Sequence, residues 1–300
     1  MSQPKKTFPE LLEKANVPPE SLGDMTVLRP VYEEFMLQTP VPSEVSIAEV
    51  DLGGVLALEV SAPEASADAA VLFFHGGVFA MGSARSSANL AGLLSRQARA
   101  KVFSVEYRLA PENPYPAAPD DALRSYRGLL ERGIGQERIA LFGESAGGAL
   151  ALATLIAARE GRLPQPAAGV LYSPWVDLTL SGTSMDTKAS VDHLVAREAL
   201  QGAAYGYAGG ADPSGAELSP LFDDLHGIAP LLIQCGSYEV LLDDATRLAA
   251  AAAAADVAVQ LDVTPEMPHV FQASATELVE ANAALARTGE FLRSRFDPAG

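Results

Sequence analysis

A serine stands between two glycines in the segment Gly143-Glu144-Ser145-Ala146-Gly147. This G-x-S-x-G spacing is typical of a nucleophilic serine held on a sharp turn between a strand and a helix. The apolar run at 139–142 predicts the strand, and the alanine-rich run at 146–159 predicts the helix. Such a turn would make side chains two positions before and two after the serine collide, which explains both glycines. We therefore predict a nucleophile at Ser145, in front of the free N–H groups of a helix N-terminus.

A serine hydroxyl needs a base to take its proton and an acid to orient that base. The chain has four histidines. His193 lies in a segment without strand pattern and His226 in a polar turn, so we expect both to be structural or solvated. His75 precedes two glycines and is interpreted as an organiser of its loop. His269 lies in PEMPHVFQ, just beyond the last predicted strand, and is predicted by elimination to be the base.

The acid is expected after a strand that lies between the serine and the histidine in the chain. The segment LLIQCGSYEVLLDDA supplies that strand and then three carboxylates. Glu239 follows the strand most closely and is the preferred acid. Asp243 and Asp244 lie where the next helix is predicted to begin, a position where carboxylates serve as helix caps. Asp243 stays open as the alternative acid.

An oxyanion hole is the remaining requirement, because attack on an ester carbonyl leaves a negative oxygen. Removing one donor from such a hole typically lowers the rate by about 10²–10³-fold. The segment LFFHGGVFAMG follows a predicted buried strand and offers the consecutive amides of Gly76 and Gly77. The N–H of Ala146, directly after the serine, completes the predicted set of donors.

The elements that must position these residues alternate along the chain. A predicted β-hairpin joins 45–52 to 54–63 through two glycines, and a polar loop is expected at 64–69. Further strands are predicted at 70–74, 101–107, 139–142, 167–173, 230–235 and 258–263. Helices are predicted between or after them at 89–99, 118–132, 146–159, 243–256 and 274–296. This alternation predicts an α/β fold with a mostly parallel central sheet flanked by helices on both faces.

Two stretches do not follow the alternation. Residues 1–45 carry helix-like pieces broken by prolines, at 8–16 and 18–37. The insertion at about 178–219 is loop and helix between two core strands, and long inserts of this kind are commonly lids or binding loops. We therefore predict N-terminal cap helices in 1–45 and a catalytic domain in 46–300 that carries the cap insertion.

The substrate pocket is expected between this cap and the core. The cap would contribute Phe35, Met36 and Leu194, and the core would contribute Phe79 and Trp175.

Composition excludes several classes of protein. A net charge of −17 argues against nucleic acid, whose phosphates bind lysine and arginine. The longest apolar run, at 149–158, is far shorter than the roughly 20 residues that span a bilayer, and the N-terminus lacks the apolar core of a secretory signal. The single cysteine, Cys235, rules out an internal disulfide and is expected to be a buried structural thiol. We expect a soluble, cytoplasmic protein with no membrane partner.

Five segments together resemble one known family: HGGVFAMG, VEYRLAPENPYPAAPDDAL, FGESAGG, YSPWVDLT and PHVFQ. They resemble the bacterial hormone-sensitive-lipase-like (type IV) carboxylesterases of the α/β-hydrolase fold, from about residue 70 to the C-terminus. The resemblance implies an α/β-hydrolase core with a helical cap, a Ser–acid–His triad, and no metal or organic cofactor. It also implies hydrolysis of short- to medium-chain acyl esters and homodimers paired through the C-terminal edge strand.

The sequence departs from this family's pattern at two positions. Val78 stands where the family commonly has a third glycine, which we expect to alter pocket shape more than chemistry. Glu239 takes the place of the usual aspartate in YEVLLDD, and a glutamate can orient an imidazole in the same way. In the family motif YRLAPE, Arg108 and Glu112 are expected to brace loops.

The leading hypothesis is a carboxylesterase that forms an acyl-enzyme on Ser145. Lactone hydrolysis uses identical chemistry and is the runner-up. The alternative of another class is a non-catalytic ligand-binding protein on the same fold, because a fold alone does not establish activity. Plant hormone receptors that resemble this family lack the catalytic histidine, so the presence of His269 favours the enzyme.

Overall fold

Eight strands form one sheet in the order β1-β2-β4-β3-β5-β6-β7-β8. The computed structural model describes residues 8–18, 21 and 24–297, so parts of the predicted N-terminal helical pieces lie outside the described residues. The strands are β1 (Ser46–Asp51), β2 (Leu56–Ser61), β3 (Ser66–Phe74), β4 (Ala100–Val105), β5 (Ile139–Glu144), β6 (Ala168–Tyr172), β7 (Leu231–Gly236) and β8 (Val259–Thr264). Strand β2 pairs antiparallel with β1 and β4, and every other pair is parallel. The predicted mostly parallel sheet is confirmed.

Helices cover both faces of this sheet. They are α1 (Phe8–Lys14), α2 (Met25–Met36), α3 (Ala88–Ala98), α4 (Ala117–Glu131), α5 (Ala146–Glu160), α6 (Ser184–Thr187), α7 (Arg197–Ala208), α8 (Leu242–Ala254) and α9 (Val279–Phe296). In the central strand β3, Leu72 packs in the core cluster that contains α4, α5 and α8, whereas Phe73 packs in the cluster that contains α3 and α9. Both side chains are fully buried. A parallel strand that is buried on both faces has a continuous apolar sequence, which is why the run at 70–74 predicts a strand.

Two predicted boundaries are wrong. The segment at 66–69 was predicted as loop but belongs to β3, where its outer residues are exposed and its ladder is irregular. Its polar, alanine-rich composition reflects that exposure. The last helix begins at Val279 rather than at residue 274, because Phe271–Ser274 forms a separate 3₁₀ turn.

Arg29 ties the N-terminal helices to the loops that follow β3 and β4. Phe8 of α1 packs edge-on against Tyr32 and Phe35 of α2, with ring centroids 6.1 and 5.9 Å apart. Arg29 of α2 donates to the carbonyl oxygens of Ala80 and Ala110, both at 2.7 Å. Helix α2 therefore lies over the loop that follows β3. Within residues 8–18, 21 and 24–297, no helix is both long and apolar enough to cross a bilayer.

Candidate active site

Ser145 occupies the turn between β5 and α5 in a strained backbone conformation, with φ 53° and ψ −122°. A Cβ atom added to Gly143 would lie 2.0 Å from the carbonyl oxygen of Gly147. A Cβ added to Gly147 would lie 2.0 Å from the carbonyl oxygen of Phe74. The expected collision is confirmed, and only glycine fits either position. The turn leaves Ser145 almost buried, at 7% exposure.

Glu239 and His269 are joined by a hydrogen bond of 2.9 Å between Oε2 and Nδ1. The Glu239 carboxylate is fully buried, and its other oxygen accepts from the Ser173 hydroxyl at 2.8 Å and from the Gly236 N–H. Ser173 accepts in turn from the N–H of Val270, at 3.1 Å. The carboxylate is therefore fixed from both sides, and it directs Nδ1 of the imidazole inward and leaves Nε2 for chemistry.

The end of strand β6 and the residues just after it connect Ser145 to Glu239. The N–H of Ser145 donates to the carbonyl oxygen of Tyr172 at 2.9 Å, and the carbonyl oxygen of Ser145 accepts from the N–H of Trp175 at 3.0 Å. Between these two partners lies Ser173, which bonds to the buried carboxylate. Among the described residues the Ser145 hydroxyl makes no hydrogen bond. Glu239 and His269 are therefore hydrogen-bonded to each other, whereas Ser145 and His269 are not.

The pKa of His269 is raised above its ordinary value of 6.5. Burial lowers this pKa, but the hydrogen bond to Glu239 and the negative charges of Glu239, Asp192 and Glu144 outweigh burial. The imidazole is thus better able to hold a proton than a histidine in water. That property suits a group that must accept a proton from a serine hydroxyl.

The other two carboxylates of the YEVLLDD segment serve the fold. Asp243 accepts from the hydroxyl and amide of the segment at 183–184, and Asp244 accepts from the amides of 176–177. Neither caps α8 through its side chain, so the capping prediction is wrong. Of the three candidate acids, Glu239 is the one that contacts the imidazole.

Two of the three predicted oxyanion donors are open. The N–H of Gly76 donates to Oε1 of Glu144 at 3.3 Å, so this amide already has an acceptor. Among the described residues, the N–H groups of Gly77 and Ala146 have no acceptor. Gly77 has φ 110°, a conformation that favours glycine.

His75 makes contacts within the loop that carries the predicted oxyanion donors. Its ring stacks on Tyr107 with centroids 4.2 Å apart, and its Nδ1 lies 2.7 Å from the carbonyl oxygen of Gly76. The Tyr107 hydroxyl donates to the carbonyl oxygen of His75 at 2.8 Å. Burial lowers the pKa of His75 to about 4. The ring is therefore neutral at physiological pH.

The predicted pocket residues separate into two groups. Phe35 and Met36 line a cavity of about 170 Å³ beside the serine turn. Phe79 and Trp175 do not line it, because the Phe79 ring stacks on a tyrosine of α7 and both side chains are buried in the core. Leu194 does not line it either and is 56% exposed.

The other singled-out residues are structural or solvated, as expected. His193 is exposed, and the exposed His226 pairs with Asp224. Arg108 pairs with the buried Asp121, and Glu112 pairs with the α2 arginine. Cys235 is buried, and burial raises the pKa of its thiol. Across the part of the chain that the structure describes, no group of three or more His, Cys, Asp or Glu side chains is arranged to hold a metal ion.

Sequence reasoning missed Asp192 and Ser173. Asp192 accepts from the N–H groups of Leu194 and Val195, both at 2.9 Å, and from the N–H of Val240 at 2.8 Å. It thereby ties the insertion to the segment that carries Glu239. The Asp-x-x-Val spacing is a turn signal, but nothing local indicates the bond across 48 residues.

Comparison with known proteins gives a consistent result. A family model described as "alpha/beta hydrolase fold" matches residues 71–273. An acetyl-hydrolase of Streptomyces hygroscopicus is 43% identical over 224 residues, which cover 75% of each chain. An esterase of Acinetobacter venetianus is 36% identical over 97% of this chain and 96% of its own. The crystal structure of an esterase from the bacterial hormone-sensitive lipase family has a TM-score of 0.91 and 38% identity, and the match covers 99% of this chain and 100% of that one.

Proposed function

Because the chain belongs to the alpha/beta hydrolase family, in its branch of bacterial hormone-sensitive-lipase-like esterases, we propose that this carboxylesterase cleaves short- to medium-chain acyl esters through Ser145, Glu239 and His269. In this proposal the Ser145 hydroxyl attacks the ester carbonyl and its proton passes to Nε2 of His269. Glu239 keeps the imidazole oriented and stabilises its positive charge.

The reaction then proceeds through an acyl-enzyme. The negative oxygen of the tetrahedral intermediate is held by the amides of Gly77 and Ala146, while Gly76 shapes the loop. Collapse of the intermediate breaks the ester bond, and His269 gives its proton to the leaving alcohol. Water, deprotonated by the same imidazole, attacks the acyl-serine and releases the acid and the free enzyme.

The hydrogen bond of 2.9 Å between Glu239 and His269 carries the proposal. A buried carboxylate is costly unless it is paired, and here Glu239 accepts from two other donors and from the imidazole of His269. Strained backbone at a serine and a carboxylate-paired histidine are two separate features that the proposed serine mechanism uses together.

A short acyl preference is supported by two facts. The Streptomyces relative is named an acetyl-hydrolase, and the cavity beside the serine turn has a volume of about 170 Å³. A cavity of about this size can hold a molecule as large as benzene, so it accommodates a small acyl group.

The test is hydrolysis of p-nitrophenyl esters from acetate to laurate by the parent, Ser145→Ala and Ser294→Ala. Ser294 is exposed on α9 and serves as the matched control. We expect activity on the shortest chains in the parent and the control, and none in Ser145→Ala. Equal activity of Ser145→Ala and the parent would exclude the serine mechanism. Activity of the parent on a lactone panel alone would favour the lactonase instead.

Pairing of two copies through β8 is a further part of the proposal. Strand β8 is the last in the sheet order, and Val263 on it is 40% exposed. An uncovered sheet edge can pair with the same edge of a second chain. Light scattering is expected to give a dimer for the parent and a monomer for Val263→Lys. The cytoplasmic location stays a prediction that cell fractionation would test.

A further inference from the structure

The cavity of about 170 Å³ borders both catalytic loops. Glu144, the residue before Ser145, lies in its wall, and so do Ala273 and Ser274, which follow the catalytic histidine in the chain. A Cβ added to Gly76 would lie 3.3 Å from Cβ of Ser145 and 3.6 Å from Cγ of Glu144. A group bound in this cavity is therefore close to the reacting serine.

Glu144 presents one uncommitted oxygen to this cavity. Its Oε1 accepts from the Gly76 N–H and from the Ser87 hydroxyl, at 3.3 and 3.0 Å. Its Oε2 accepts no hydrogen bond from the described residues, although the residue is 4% exposed. Burial raises the pKa of this carboxyl, although the bonds from Gly76 and Ser87 lower it. A carboxyl group in this setting gains from one more donor.

Asn89 supplies a second acceptor in the same wall. The residue is 6% exposed, and its Nδ2 donates to the carbonyl oxygen of Ala273 at 3.5 Å, which fixes the orientation of the amide. Its Oδ1 is buried and has no hydrogen-bond partner. A buried acceptor without a partner is destabilising by about 1–3 kcal/mol, so a hydroxyl that reached this atom through a small shift of the wall would be stabilised.

The described part of the wall carries two carboxylates and no cation. Among the described residues that line the cavity there is no lysine or arginine. Phe35, Met36 and Leu90 supply apolar surface for the carbon skeleton of an occupant. The cavity therefore disfavours a carboxylate group and fits a small group that is partly apolar and donates hydrogen bonds.

We propose that this cavity selects small esters that carry a hydroxyl group, with the hydroxyl donating to Glu144 Oε2 or to Asn89 Oδ1. The inference rests on the proposed ester hydrolysis and names the substrate class. The hydroxyl can lie on the acyl half or on the alcohol half of the ester, because the cavity borders the serine without showing which half enters it.

Two pairs of isosteric esters test the proposal and separate the two halves. Ethyl 3-hydroxybutyrate and ethyl 3-methylbutyrate differ by a hydroxyl or methyl on the acyl half. 2-Hydroxyethyl acetate and propyl acetate differ in the same way on the alcohol half. A site that hydrogen-bonds a substrate hydroxyl discriminates strongly against the analogue that lacks it. We expect kcat/KM of the parent to favour the hydroxylated member of one pair by about tenfold or more.

Variants show whether the cavity causes this preference. Asn89→Leu keeps the approximate volume and removes the acceptor, so the preference is expected to fall to about twofold or less, mainly through slower hydrolysis of the hydroxylated ester. Glu144→Gln replaces one acceptor by a donor and is expected to lower the same ratio. Asn282→Leu, the same substitution at an exposed position of α9, is expected to leave the ratio unchanged.

The outcomes separate this inference from the proposed function. If the parent hydrolyses the plain esters as fast as the hydroxylated ones, the inference is wrong and the esterase stands. An unchanged ratio in a folded Asn89→Leu would also overturn it. Should Asn89→Leu not fold, the ratio in Glu144→Gln decides. Hydrolysis of no ester at all, including p-nitrophenyl acetate, would overturn both proposals.

Discussion

Two histidines, His75 buried and His269 partly buried, follow strands of the same sheet, and their surroundings give them opposite properties. His75 lies directly after β3 in the loop of the proposed oxyanion donors, and His269, the proposed base, lies beyond β8. Each loop has a valine in the left-handed backbone region, Val78 with φ 53° and Val270 with φ 49°. Position after a strand and local strain therefore do not distinguish a base from a structural histidine.

The carboxylate makes the difference. His269 faces Glu239, which overcomes the effect of burial and raises the pKa of the imidazole. His75 faces a backbone carbonyl and the ring of Tyr107, so burial prevails and lowers its pKa to about 4. The raised pKa lets His269 hold a proton more readily than a histidine in water, and the lowered pKa keeps His75 neutral.

Glu239→Gln is the strongest test of this contrast. Replacing the carboxylate of a Ser–His–acid triad by its amide lowers kcat about 10⁴-fold, because the imidazole loses its orientation and the stabilisation of its charge. The base must be neutral to act, and the raised pKa of His269 places the acidic limb of kcat/KM above pH 6.5 in the parent. In Glu239→Gln the limb is expected to move to lower pH. A pH series of kcat/KM measures both effects.

Asp243→Asn is the matched control for that experiment. Its carboxylate bonds to the insertion segment at 183–184 instead of the imidazole. We expect its kcat/KM to stay within a few-fold of the parent, with the acidic limb at the same pH. A loss in Asp243→Asn as large as in Glu239→Gln would show that the wrong carboxylate has been assigned.

His75→Asn tests the contrast through the pH dependence of the free energy of unfolding. The folded-state pKa of His75, about 4, lies below the unfolded value of 6.5, so between these pH values the unfolded chain binds more protons. Stability from this group is therefore present above pH 6.5 and lost as the pH falls toward 4. The loss approaches about 3 kcal/mol. Urea unfolding at pH 7, 6, 5 and 4.5 is expected to show a shallower decline for His75→Asn than for the parent.

The expectation is contradicted if the free energy of unfolding falls with decreasing pH by the same amount in the parent and in His75→Asn. Other groups titrate in the same range, but they are common to both proteins, so the difference between the curves reports His75. The acidic limb of kcat/KM is expected to stay where it is in the parent, because His269 sets it.

The sequence predicted those parts of the site that depend on chain order and local sterics. Ser145 with its glycines, the strand before His269 and the first acid after β7 all follow from short segments. The bond from Gly76 to Glu144 joins residues 68 apart in the chain, and no local pattern indicates it. Which amides remain open for an oxyanion could therefore not be predicted.

The residues that line the pocket were harder to predict than the serine turn, for a related reason. Phe79 and Trp175 are large apolar residues near the site, and from sequence alone a pocket wall and a core position look alike. Their burial follows from the stacking of Phe79 on Tyr207, with centroids 3.9 Å apart, which requires α7 to be in place. Such contacts depend on the packing of the insertion rather than on a motif.

Tyr107→Phe is expected to have a smaller effect than the histidine variants. It removes the hydroxyl that donates to the His75 carbonyl at 2.8 Å and keeps the stacked ring. The expected cost is about 0.5–1.5 kcal/mol in the free energy of unfolding, with a few-fold loss of kcat as the oxyanion loop loosens. Tyr205→Phe, at an 82% exposed position, is the control and should change neither quantity. A kcat unchanged in Tyr107→Phe would mean that stacking alone holds the loop.

Val78→Gly is expected to have the smallest effect, although it changes a residue beside the oxyanion donors. A left-handed conformation costs a non-glycine residue about 1–2 kcal/mol, which glycine would recover. Glycine also loses about 0.5–1 kcal/mol through its greater freedom in the unfolded chain, and the half-buried valine gives up contacts with the core. These terms nearly cancel, so the free energy of unfolding should change by less than about 1 kcal/mol. Activity should stay within twofold, because Val78 contributes shape rather than an amide to the predicted hole. A tenfold fall in kcat would instead show that the valine side chain holds Gly77 in place, and the oxyanion loop would then depend on local packing as the serine turn does.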